Sequence, residues 1–292
     1  MLRRSFLSTL LVFATASGFS NTSFAASAPA TSDSSAARPS GVPAELLIRK
    51  AQERSRPQRH RLSDRSQKAA GIGPVVWAKS TFDEATWSRV PAISEADLQA
   101  SFEMVREEKF FTDEVSRKRR ATWLYPDDGC FVRATVADGL IAKLLQPPPA
   151  PTTAVPTAKI FAFGNLRVQT ANSPSGEVEW WYHVAAIAKV KTSGAADEYY
   201  VYDPAISPKA PMPVKEWLTT MVGPNLKNIE IAICAGGAYD PYSHCEANDP
   251  STRQYSLERA HREAHQFLPE EWDRLEVLGR DPNLELGSNP PW

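Results

Sequence analysis

Residues Tyr125–Ala134 read "YPDDGCFVRA" and place a cysteine directly behind Asp127-Asp128-Gly129. Asp and Gly together cap and turn a chain into a helix, so the spacing puts Cys130 in the first turn of a helix running to Leu145. Phe131, Ala134, Ala137, Leu140, Ile141, Leu144 and Leu145 form its apolar stripe. "QPPPAPTTAVPTA" (146–158) ends it, because proline neither donates to nor fits inside a helix. At a helix N-terminus the backbone N–H groups lack partners, and the macrodipole favours a thiolate. The same N–H groups can hold a developing oxyanion. A sulfur in that position is a candidate nucleophile that still needs a base.

Working outward, an amphipathic helix is expected from Ser94. Ser94 caps it, Glu95 and Asp97 favour its dipole, and Leu98, Phe102 and Val105 share a face. After the proline-rich stretch the pattern changes to strands. "KIFAFGNLRVQT" (159–170) is followed by the turn "NSPSGE" (172–177) and then by "VEWWYHVAAIAKVKT" (178–192). "SGAAD" turns the chain again into "EYYVYDP" (198–204), and "NIEIAICA" (228–235) is a fourth strand. From Ser251 the chain returns to helix through "SLERAHREAHQFL", with a polar, proline-containing tail. Helices first and antiparallel strands after them argue an α+β layer fold, with the cysteine-bearing helix packed on the sheet.

The first residues look like an export signal. Arg3 and Arg4 precede an apolar stretch, and Ser23-Phe24-Ala25 is a small-x-small cleavage site. "RRSFL" also fits a twin-arginine signal. Residues 26–70 have the Ala/Ser/Pro/Arg composition of a disordered tether or pro-segment, with a basic run at Arg49–Arg61. Order is expected near "GPVVWAKSTF" (73–82), and the ordered domain spans 71–250, followed by a helical extension over 251–292. Removing residues 1–25 leaves 31 basic against 34 acidic residues. That balance gives nucleic acid no purchase, and no segment is long and apolar enough for stable membrane insertion. The full chain of 292 residues, 42% hydrophobic, can bury one core, and a periplasmic or secreted monomer is expected.

Export changes how the three cysteines read. Cys234 and Cys245 flank "AGGAYDPYSH", and a disulfide closing that loop would add about 2–3 kcal/mol by constraining the unfolded chain. Cys130 is then left over. Among five histidines, His60 lies in the tether and His244 in the disulfide loop. His261 and His265 share a helix face without a third ligand, so neither metal nor cofactor is expected. His183 sits within the apolar strand "WWYHVAAI", and Asp203 closes the next strand twenty residues later. A carboxylate there can fix the imidazole tautomer and leave the second ring nitrogen for the sulfur, giving Cys130, His183 and Asp203 as a candidate triad. A satisfied core histidine and a packed cysteine are the competing reading.

"YPDDGCFVRA", "FGNL" (163–166), "WWYHVAAI" (180–187) and "YDPA" (202–205) occur in the order and approximate spacing of the bacterial protein-glutaminases, which this chain resembles over about residues 93–235. The resemblance implies a papain/transglutaminase-like core and deamidation of glutamine within proteins or peptides. It also implies catalysis by Cys130, His183 and Asp203, and an N-terminal pro-segment, whose place residues 26–88 occupy. Asn165 in "FGNL" is a candidate second oxyanion donor. A transglutaminase, a cysteine peptidase or amidase on the same core, and a non-catalytic disulfide-stapled binding protein are the alternatives.

Overall fold

The computed structural model describes residues 90–145, 157–191, 198–224, 226, 229–245 and 249–292. The signal peptide, the basic tether, the onset of order near residue 73, the proline-rich terminator at 146–156 and the "SGAAD" turn lie outside the described residues.

The elements are β1 (Ala92–Ser94), α1 (Glu95–Glu107), β2 (Phe111–Thr112), β3 (Lys118–Arg119), α2 (Cys130–Leu145), β4 (Ala158–Gln169), β5 (Glu177–Lys191), β6 (Glu198–Tyr202), β7 (Met212–Pro213), α3 (Val214–Val222), β8 (Glu230–Ala235) and α4 (Pro250–Val277). A short π-helical turn, Leu284–Ser288, follows. The sheet runs β7-β6-β5-β4-β8, antiparallel throughout, with β1 added parallel to β5. The α+β architecture expected from the pattern is the one observed.

Strand β5 is the middle strand of the sheet, and from His183 to Ala188 it is buried on both faces. Ala186 and Ala188 face a cluster with Phe102, Val136, Ala137, Ile141, Ala260, Ala264 and Leu268, supplied by α1, α2 and α4. Ala185 and Ile187 face the other way, onto Trp217, Leu218 and Met221 of α3. Period-two alternation across two cores explains why "HVAAIA" reads as a continuous small, apolar run. Small side chains there and at Ala134 and Ala137 allow the helix to lie close to the sheet.

Local signals place the ends. Ser94 accepts from Asp97 N at 3.2 Å and starts α1, and Leu98, Phe102 and Val105 lie on its packed face. The β4–β5 turn closes with Gly176 at φ +76° and Thr170 N donating to Gly176 O at 2.9 Å. Asp249 caps α4 by accepting from Thr252 N at 2.9 Å, with Pro250 at the first helical position. The chain after "HQFL" differs from the expected tail. Helix α4 passes through Pro269 to Val277, because Glu271, Arg274 and Leu275 beyond it are buried against the core. That burial outweighs the roughly 3 kcal/mol cost of an internal proline. The last helix is therefore a core element. Among the described residues no helix is long and apolar enough to cross a membrane.

Candidate active site

Gly129 adopts φ +75°, a backbone conformation that favours glycine, and a Cβ there would press on the Phe267 ring at 3.1 Å. Asp128 Oδ1 accepts from Gly129 N at 2.7 Å, and Gly129 O accepts the first helical bond from Arg133 N at 3.1 Å. This turn sets Cys130 as the first residue of α2, buried and outside any disulfide. Arg133, one turn on and fully buried, donates through Nη1 to Tyr125 O at 2.8 Å and Asp128 O at 2.6 Å. A cation anchored within the helix thus fixes the loop that delivers the sulfur.

Strand β6 pairs with β5 only from Ala186 onward, which leaves β5 ahead of that point with β4 as its sole ladder partner. His183 lies in this stretch, and Asp203 is the first residue after β6. The Asp203 carbonyl accepts from Ile206 N and Ser207 N, which folds "DPAIS" into a fixed turn. His183 Nε2 lies 2.7 Å from Asp203 Oδ2, and Trp217 Nε1 donates to the same oxygen at 3.0 Å. Trp180 stacks on the imidazole, with centroids 4.5 Å and planes 17° apart, and Trp217 leans on it at 5.6 Å.

The electrostatics follow from this cage. Burial pulls the His183 pKa down, but the charge and hydrogen bond of Asp203, with the interaction from Cys130, outweigh it and leave the imidazole raised to about 9. Burial likewise opposes ionisation of Asp203, and the His183 cation, its hydrogen bond, Arg133 and the Trp217 N–H hold the carboxyl below its usual value. An ionised Asp203 makes Nε2 the protonated donor. Nδ1 is buried with no conventional hydrogen-bond partner, and Cys130 acts on the same imidazole. The Tyr182 phenol also interacts with Cys130, and burial, with the neighbouring Cys130 and Asp128, pushes its pKa well up.

Cys130, His183 and Asp203 are all buried; His183 pairs with Asp203, and Cys130 acts on its imidazole. Asn165 is elsewhere in character: it is an exposed residue of a bulge where pairing passes from Phe163–Tyr182 to Leu166–Trp180, and no hydrogen bond joins it to Cys130. Cys234 and Cys245 form the expected disulfide, packed in the same apolar cluster as Cys130 and Ala134. Among the described residues no three acidic, histidine or cysteine side chains converge on a metal-sized site. His261 stacks on Phe110 with centroids 4.5 Å apart.

The sequence reading missed Trp217 and its helix. The signal was present in "VKEWLTTMV", where Val214, Trp217, Leu218 and Met221 recur at helical spacing.

Residues 98–221 match the glutaminase family. The segment contains Cys130, His183 and Asp203, and the resemblance read from the motifs is borne out. No curated protein matches the chain. A crystal structure of protein-glutaminase is 20% identical, covering 60% of this chain and 89% of that one, with a TM-score of 0.43. A mutant of pro-protein-glutaminase gives 20% identity, 60% and 59% coverage and 0.43. The NMR structure of protein-glutaminase from Chryseobacterium proteolyticum gives 21% identity, 56% and 84% coverage and 0.40.

Proposed function

We propose that this chain is an exported deamidase that hydrolyses the side-chain amide of protein-bound glutamine, with Cys130 as nucleophile, His183 as acid and base, and Asp203 as orienting carboxylate. The observation that carries the reading is the His183–Asp203 pairing through Nε2, which leaves Nδ1 buried and unpaired on an imidazole that also feels Cys130, the first residue of α2. A motif-matched family segment enclosing all three residues supports the amide chemistry. The disulfide supports an oxidising compartment.

Each step assigns a job to one group. The Cys130 thiolate attacks the glutamine side-chain carbonyl carbon, and the electron pair moves onto oxygen. The Cys130 backbone N–H, at the first helical position and without an intrahelical partner, is one donor to that oxyanion. Collapse expels the amine as ammonia, which takes its proton from His183 Nδ1, and leaves a γ-glutamyl thioester. Nδ1 then takes a proton from water, the hydroxide attacks the thioester carbonyl, and the thiolate departs from the glutamate product. Asp203 keeps the ring in register and stabilises the imidazolium throughout.

The test is incubation of the purified chain with casein, scoring ammonia, intact mass and crosslinking together. Ammonia equal to the glutamate formed, without fragments or multimers, is the expected result. Crosslinked casein would mean resolution by an amine, and fragments would mean main-chain cleavage.

A further inference from the structure

We propose that Arg274 is a positioning residue for the reaction at Cys130, so that the final helix, outside the family-matched residues 98–221, belongs to the catalytic apparatus. The inference rests on the reading of Cys130 as nucleophile.

One face of α4 meets the cysteine turn residue after residue. Phe267 packs tightly against Gly129, with its ring 3.1 Å from where a Cβ would stand. Four positions on, Glu271 is fully buried and accepts from Leu124 N at 2.9 Å, while Arg119 Nη2 donates to its other oxygen at 2.9 Å. Three positions further, Arg274 Nη1 donates to Asp127 Oδ2 at 2.6 Å, and its guanidinium lies over the Tyr125 ring at 5.2 Å. Spacings of four and three residues put these side chains on a single helical face. That face spans the chain from Leu124 to Gly129, the run that ends in the nucleophile.

Arg274 does more than hold one loop. The same Nη1 donates to Asn172 O at 2.9 Å, and Arg280 Nη1 reaches Asn172 Oδ1 at 2.6 Å. Asn172 belongs to the β4–β5 turn, and β5 carries His183. The guanidinium of one residue, only 7% exposed, therefore joins the loop that delivers the sulfur to the hairpin that delivers the imidazole. With the Trp180 Nε1 bond to Pro126 O, it is one of the ties that set the spacing between the two halves of the proposed catalytic pair. A shift of about 1 Å between reacting groups costs up to roughly a hundredfold in rate.

The experiment compares the wild type with R274M, D127N and the double variant on casein. It also measures the rate at which iodoacetamide alkylates Cys130, the one cysteine outside the disulfide. The expected result is a roughly ten- to hundredfold fall in kcat with KM within about threefold, and alkylation at neutral pH slowed by about tenfold. The double variant should be no worse than the worse single, as for two groups acting as a unit. R274K keeps the charge and recovers part of kcat. Folded R274M and D127N with wild-type kcat and alkylation rates, or losses that add in the double variant, would overturn the proposal. Asp127 is partly exposed, so D127N decides the matter if R274M does not fold. If the wild type releases no ammonia the deamidase reading fails, while the alkylation rates still decide the positioning role.

Discussion

Trp180 lies flat against His183, ring over ring at 4.5 Å, and the indole N–H of Trp180 donates to Pro126 O at 3.0 Å. One side chain thus fixes the imidazole plane and ties β5 to the loop ahead of Cys130. Trp217 closes the other side and shares Asp203 Oδ2 with the histidine.

Substitutions at Trp180 separate these two jobs. W180F keeps an aromatic face and loses the N–H, so it should retain most activity and lose about 1 kcal/mol of stability. W180L removes the flat face and frees the ring, which should lower kcat by roughly tenfold or more while Cys130 still alkylates. Steady-state kinetics and urea midpoints of both variants check this. Equal activity in the two would remove the aromatic face as the reason for the stack.

The imidazole value of about 9 has a consequence for folding. It lies above that of an unfolded histidine, near ~6.5, so the native state holds the proton more tightly. The His183–Asp203 pair contributes fully below about pH 6.5, and its contribution is lost as pH rises through 9. Lys159 acts in the opposite sense. Fully buried, with its pKa lowered by desolvation to about 8, it binds its proton more weakly than in the unfolded chain and adds stability above that pH. H183Q retains Lys159 and isolates the histidine. The stability difference between wild type and H183Q should shrink by a few kcal/mol between pH 6 and 9.5. A difference that does not change with pH would show that His183 is not held as a cation.

The Cys234–Cys245 disulfide predicts a stability effect with little change in chemistry. Replacing both cysteines by alanine should cost about 2–3 kcal/mol and lower the melting temperature by roughly 5–10 °C. Turnover well below that temperature should persist, because the proposed chemistry uses Cys130 and the His183–Asp203 pair and not the disulfide. Calorimetry with an ammonia assay checks both, and lost turnover in a folded variant would place the loop in the site.

Much of this was legible in the residues. Gly129 before Cys130 announced a helix start, and the "VEWWYHVAAIAKVKT" run announced a strand. The twenty residues between His183 and Asp203 placed a carboxylate across a hairpin. Local patterns carry that kind of information because they are set by backbone periodicity and turn chemistry. What was not legible depended on distant packing. Pro269 reads locally as a helix stop, and only burial of Glu271 and Arg274 against the cysteine loop keeps the helix going. Trp217 lies fourteen residues beyond Asp203, and its N–H acquires meaning only when α3 folds over the sheet. Arg274 joins Asp127 across 147 residues, a separation no short motif spans.

The most direct measurement is ammonia release from casein by the purified chain as Cys130 is progressively alkylated with iodoacetamide, with occupancy read by intact mass. Activity should fall in proportion to the unmodified thiol and reach zero at full occupancy, and C130S should be inactive though folded. Ammonia release that survives complete alkylation of Cys130 would contradict the account.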